Sequence, residues 1–207
     1  MMGFQVEKNF FDQGYSHLAG VDEVGRGSLF GPVVAAAVVF PKDFFLKRKP
    51  WWAGEIIDSK LLQPTKRVEL VKLILKEVSS LGLGYATHLE VDRMNVYWAS
   101  QLAMKRALSD LDFRPDIILV DGYPLKDIDY FQVAVLQGDR KVFSIAAASI
   151  VAKVFRDGLI DVFDEIYPGY QLSRNKGYGT EAHYQALEKI GPCPLHRKSF
   201  RLCKDRV

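Results

Sequence analysis

The chain has 207 residues, 48% of them hydrophobic and 26% charged, with a formal net charge of +3. That length supports a well-buried core, and the composition is that of a globular chain rather than a disordered or collagen-like one. Its longest uncharged apolar run, Val33 to Phe40, is far short of the roughly 20 residues a membrane-spanning helix needs, which leaves a cytoplasmic, non-membrane protein as the expectation.

In chain order, Glu7, Lys8, Asp12 and His17 interrupt the N-terminal stretch where a signal peptide would be apolar. Leu18–Val24 reads as a strand running into the turn Gly25-Arg26-Gly27, and Val33–Phe40 as its buried partner. Pro41 to Gly54 reads as an exposed loop, with Lys47, Arg48 and Lys49 beside Trp51 and Trp52. A helix opens at Pro64-Thr65, and Gly82–Thr87 is a short strand. Tyr97–Leu111 fits an amphipathic helix. Asp116–Val120 and Phe131–Leu136 are strands, each followed by an Asp/Gly pair: Asp121-Gly122 and Gly138-Asp139. Ser144–Tyr167 is a long helix and Thr180–Ile190 the last. The order predicts an α/β fold, a sheet covered by helices, in one domain over 1–207 with a helical C-terminal part from about residue 170. Beyond Leu172, eight Lys/Arg face three acids. A basic end suits a polyanionic partner, although charge alone fits a solubilising end equally well. Cys193 and Cys203 are expected as free thiols.

The acids carry the chemistry. Asp22-Glu23 ends an apolar strand, and Asp121 ends Ile117–Val120. Open α/β sheets bind ligands at strand carboxyl ends, and acids on two such ends can converge on a divalent cation that prefers oxygen ligands. Asp157, on the long helix, could close the cluster from the side. Taken singly, each acid also has a plain structural reading. Asp121-Gly122 is an ordinary turn pair, and Asp157 lies four residues after Lys153, the spacing of a helical ion pair. Adjacent strand residues point to opposite faces, so Asp22 is expected as the bridging ligand. Glu23 reaches the same metal only if the strand is ending, or if it acts through its backbone or a water.

The blocks Gly20-Val21-Asp22-Glu23-Val24-Gly25-Arg26-Gly27, Asp58-Ser59-Lys60, Val120-Asp121-Gly122, Gly138-Asp139, Ser144 to Asp157, Lys176-Gly177-Tyr178-Gly179 and His196-Arg197-Lys198-Ser199-Phe200 together resemble the ribonuclease HII family, in its order and over about residues 18 to 200. The resemblance implies a ribonuclease H-like fold, with a mixed central sheet flanked by helices. It implies two Mg²⁺ or Mn²⁺ ions held by Asp22, Glu23, Asp121 and Asp157, acting on RNA–DNA hybrids and on DNA duplexes containing ribonucleotides. The expected cut is 5′ to the ribonucleotide and leaves 5′-phosphate ends, serving ribonucleotide removal and RNA primer clearance. It also implies that Gly25, Arg26 and Gly27 read the 2′-hydroxyl and a phosphate, and that Tyr178 packs on the nucleotide 3′ of the ribonucleotide. Ser149 and Lys153, four apart on the helix of Asp157, could contact phosphate, and Asn95, Lys60 and Arg197 are candidates of the same kind. Ser28 stands where the family often has proline, and Asn175 where it commonly has histidine. Ribonuclease HIII shares fold and acids but adds an N-terminal substrate-binding domain, for which the position of Asp22 is expected to leave no room. From a different class, a metal-independent hybrid-binding module would use only the basic end and Tyr178. The protein is expected to be a monomer.

Overall fold

The computed structural model describes residues 3–47, 50–56, 59 and 62–203. Two of its strands read as near-continuous apolar runs. β1 (Leu18–Val24) is buried as far as Asp22, and β2 (Val33–Val39) along its whole length, as strands covered on both faces must be. They pair antiparallel, with Asp22 opposite Ala36. β3 (Ser80–Ala86) adds antiparallel to β2, while β4 (Ile117–Asp121) and β5 (Gln132–Val135) add parallel on the far side of β1. The resulting mixed sheet has the order β3-β2-β1-β4-β5.

Alternation along the strands assigns the two faces. Leu18, Ala36, Val38, Ile117 and Leu119 pack with the long helix α5 (Phe143–Ile166). Ala19, Val21, Ala35, Ala37, Ile118 and Val120 pack with α4 (His88–Ser109). The first face also receives α1 (Gln5–Asp12), α2 (Lys42–Leu46) and α3 (Pro64–Glu77). At Gly20 the backbone of α5 lies so close to β1 that a Cβ would sit 2.2 Å from the carbonyl carbon of Ser144. The start of α5 is capped from a distance, because buried Glu7 accepts from the Ser144 N–H at 2.9 Å and from its hydroxyl at 3.1 Å. A carboxylate there meets the positive end of the helix dipole.

The structure departs from the sequence reading in four places. Pro41–Gly54 is not a wholly exposed loop. It contains α2 and a 3₁₀ turn at Trp51–Gly54, and Phe44, Phe45 and Trp52 are buried with Phe4, Phe11, Phe40 and Phe143 in one aromatic cluster. Trp51 alone among these aromatics stays outside, 69% exposed. α1 is an additional element, and its apolar side is too short to read from periodicity. α4 begins nine residues before the predicted start at Tyr97, opened by a capping box between Thr87 and Glu90. It kinks at Asn95 (φ 66°, ψ 167°), whose side-chain oxygen accepts from the N–H groups of Tyr97 and Trp98. The periodicity therefore marks the second half of the helix. Lastly, the C-terminal helices α6 (Leu172–Asn175) and α7 (Glu181–Ile190) do not cover a sheet face. They build a small core of Phe30, Ile160, Tyr170, Leu172 and Leu187 on the end of α5 and on the segment beyond β1.

Cys193 and Cys203 are free, and among the described residues no helix is long and apolar enough to cross a membrane. Since the Gly20 contact is backbone against backbone, Gly20→Ala is expected to destabilise the fold by about 3 kcal/mol, the upper range of overpacking. Urea unfolding of the two proteins measures it.

Candidate active site

The parallel register brings the acids together. Val21 pairs with Val120, so one step further along both strands places Asp22 beside Asp121 on the α5 face. β4 stops at Asp121 while β1 continues to Val24. Glu23, although of opposite parity, therefore has no strand beside it on that edge, and it lines the same cleft of about 340 Å³ as Asp22 and Asp121. The turn after β5 brings a further carboxylate. Gly138 donates its N–H to Asp121 Oδ1 at 2.6 Å, and the next residue, Asp139, is buried against the cleft.

Each acid is oriented by a hydrogen bond of its own. Asp22 Oδ1 accepts from the Glu23 N–H at 2.7 Å, and its carboxylate faces the hydroxyl of Ser149, which lies 3.0 Å from that of Ser59. Glu23 Oε1 meets the Arg26 guanidinium at 3.2 Å. Burial, then the charges of Glu23 and Asp121, push the Asp22 carboxyl well above the usual carboxylate range. Burial also raises Glu23, against the pull of Arg26 and with the push of Asp121. Glu23 Oε2 is buried with no hydrogen-bond partner. Crowded, mutually repelling oxygens with an orphaned acceptor among them fit a hard divalent cation. Among the described residues no group of three or more His, Cys, Asp or Glu side chains is already drawn together as a metal site.

Asp157 is not part of this lining. Its carboxylate is held by Lys153 at 2.8 Å and by Arg67 at 3.5 Å. Eight residues of helix from Ser149 carry a side chain about 12 Å along and about 80° around the axis, which turns Asp157 from the cleft toward α3. The structure places Asp139 where the sequence reading places Asp157. The sequence does contain a signal for it, since Gly138-Asp139 closes β5 much as Asp121-Gly122 closes β4.

The opposite wall is the Gly25-Arg26-Gly27 turn and Tyr178. Gly25 has φ +91°, and a Cβ there would lie 2.2 Å from Arg156 Nε. Arg156, fully buried, donates to the carbonyls of Pro32, Phe30 and Lys176 and to the Ser28 hydroxyl. The serine found in place of the family's proline is thus an acceptor for this arginine. Tyr178 bridges to Ser28, and its ring has the Arg156 and Lys153 cations at 5.6 and 5.7 Å. Asn175 supports the turn before it, accepting from the Gly177 N–H and donating to the Tyr170 carbonyl.

Of the remaining candidates, Ser149 and Lys153 line the cleft. Asn95 does not; it is the cap inside α4. Arg197 is not a surface phosphate contact, being fully buried and donating to the carbonyls of Gly31 and Arg26. Lys60 lies outside the described residues, as do Asp58, Arg48, Lys49 and the basic-end residues Lys204, Asp205 and Arg206.

A mixed five-stranded sheet with acids on the adjoining ends of its two central parallel strands is the architecture of the ribonuclease H-like nucleases. The ribonuclease H2 of Pyrococcus horikoshii OT3 superposes with a TM-score of 0.70 at 25% identity, over 90% of this chain and 94% of that one. Bst-RNase HIII, solved in complex with Mn²⁺, shares the fold at a TM-score of 0.62 and 21% identity, over 86% and 64% of the two chains. Within that class the chain belongs to the ribonuclease HII family, whose model matches residues 19–203, and its activity is that of a ribonuclease H. A ribonuclease HII of Listeria monocytogenes is 48% identical over 201 residues, 97% of this chain and 74% of the relative.

Because Asp22 has its folded-state pKa raised, its protonated form favours folding. That contribution is complete below the unfolded carboxyl pKa and is lost as pH rises through the folded one. In the metal-free protein Asp22→Asn is therefore expected to raise the thermal midpoint at neutral pH, with a gain that shrinks toward pH 4. Melting curves in EDTA across pH check this. A gain that grows on acidification contradicts it.

Proposed function

We propose that this protein hydrolyses the RNA strand of RNA–DNA hybrids and cuts duplex DNA 5′ to an embedded ribonucleotide, using Asp22, Glu23, Asp121 and Asp139 to hold two divalent cations. The observation that carries this reading is that one cleft has carboxylates on one wall and a glycine turn with a tyrosine on the other. Metal chemistry alone does not distinguish RNA from DNA. The 2′-hydroxyl does, because it both donates and accepts, and a turn with glycine at two of three positions lets backbone groups approach it closely.

In the reaction, water oxygen bonds to phosphorus and the bond to the 3′ oxygen breaks, leaving a 3′-hydroxyl on one side and a 5′-phosphate on the ribonucleotide. Mg²⁺ or Mn²⁺ bound by the acids supplies charge stabilisation for the attacking and leaving oxygens; the Mn²⁺ complex of Bst-RNase HIII supports that choice of ion. Asp22 and Asp121, fixed by the Glu23 and Gly138 N–H groups, present their remaining oxygens to the cleft. Arg26, half exposed and paired with Glu23, is placed to transfer to a phosphate. Tyr178 offers its ring to the sugar of the next nucleotide. The reading includes ribonucleotide removal and primer clearance by a cytoplasmic, monomeric, single-domain protein.

The test is a DNA duplex with one ribonucleotide, incubated with Mg²⁺ and with Mn²⁺. A single cut on its 5′ side is expected; an intact duplex in both ions overturns the reading. Asp121→Asn and Asp139→Asn should each lower turnover about a hundredfold or more while leaving the melting transition cooperative. Tyr178→Ala should weaken binding of the same duplex by about 1–3 kcal/mol, the worth of one aromatic stack.

A further inference from the structure

The cleft wall formed by α5 contains a buried ion triad that the chemistry above leaves unused. Lys153 Nζ lies 2.8 Å from Asp157 Oδ1, and Arg67 Nη2 lies 3.5 Å from Asp157 Oδ2. The three side chains are only 14, 13 and 9% exposed, in the order Lys153, Asp157, Arg67. Two cations share one carboxylate, so the group carries one unmatched positive charge. Lys153 is the member that lines the cleft, and through it that charge faces the cleft. Buried ion pairs are costly to desolvate and are weak devices for stability alone, whereas a cation fixed at a polyanion's binding wall needs no ordering when phosphate arrives.

The other arm of the triad reaches the same cleft by a second route. Arg67 Nη1 donates to the carbonyls of Ser59, at 3.0 Å, and Leu62, at 2.6 Å. Ser59 lines the cleft, and its hydroxyl lies 3.0 Å from that of Ser149, which lines the cleft beside Asp22. Removing Asp157 would therefore release Lys153 on one side and loosen the Arg67 clamp on the Ser59 carbonyl on the other.

We propose that Asp157 is a positioning residue: with Arg67 it holds the Lys153 ammonium at the cleft wall as a contact for a phosphate of the bound strand. This rests on the nucleic-acid reading above and extends it to residues outside the acidic cluster.

Salt dependence separates this role from a merely structural one. Each phosphate contact contributes about 0.9 to the slope of log affinity against log salt on a duplex. The probe is the DNA duplex with one ribonucleotide, bound in EDTA in an Asp121→Asn background so that cutting is slow against the binding measurement. Lys153→Met should weaken binding about fivefold and flatten the slope by about one, and Asp157→Asn should do the same. The double variant should match either single one, because both remove the same contact. Asp157→Asn with an unchanged or steeper slope overturns the proposal, as does a double variant that loses two units. Should Asp157→Asn fail to melt cooperatively, Arg67→Gln carries the same test with the same two outcomes. Cleavage of the duplex by the protein without these substitutions tests the underlying reading separately. If it cuts and the slopes do not move, only the role of Asp157 falls.

Discussion

Like charges forced together at the end of a buried sheet are the constraint around which this molecule is arranged. Asp22 and Asp121 sit side by side because β1 and β4 run parallel in register, and burial of the strands removes the water that would screen them. The surroundings answer with donors rather than with full counter-charges. A backbone N–H serves each of Asp22 and Asp121, the Ser149 hydroxyl faces Asp22, and Glu23 is given a cation, Arg26. Ser149 can reach Asp22 only because α5 lies directly on β1, and it lies there because residue 20 has no side chain. The electrostatics of the site and the packing of the longest helix are thus one arrangement.

The opposite wall is solved in a different way. Arg156 is a buried cation whose hydrogen bonds go to carbonyls and one hydroxyl, although the next residue is an aspartate. The planar fork of arginine fits this use, with donors fixed in direction and able to fasten several strands of loop at once. It joins the segment after β1 to the turn before Tyr178, so the two parts of that wall are fastened to each other. Asp157, by contrast, points the other way and serves Lys153 and Arg67.

Much of this was legible in the residues. The five strands, α3, α5 and α7 follow from apolar runs, alternation and glycine or proline stops, and Asp22 and Asp121 from their place at strand ends. What escaped had physical reasons. Phe44, Phe45 and Trp52 are buried by neighbours distant in the chain, which local composition near a basic run does not disclose. The kink at Asn95 divides α4, so a single helical period fits only its second half. Asp157 shares a stripe with Ser149 and Lys153 on paper, but a helix with 3.6 residues per turn drifts over the two steps of four from Ser149. Asp139 lies in a short turn where no period exists, next to the Gly138 N–H that is bonded to Asp121. Arg197 resembles any other residue of a basic end until the fold encloses it.

That enclosure has a consequence for how the molecule is made. Arg197 fastens the carbonyls of Gly31 and Arg26, positions 166 and 171 residues earlier in the chain. A chain emerges from the ribosome at about 5–20 residues per second, so the sheet and its acids can assemble many seconds before these two hydrogen bonds become possible. A chain that has made its acids but not yet residue 197 therefore lacks the two bonds that fasten the Gly31 and Arg26 carbonyls beside them.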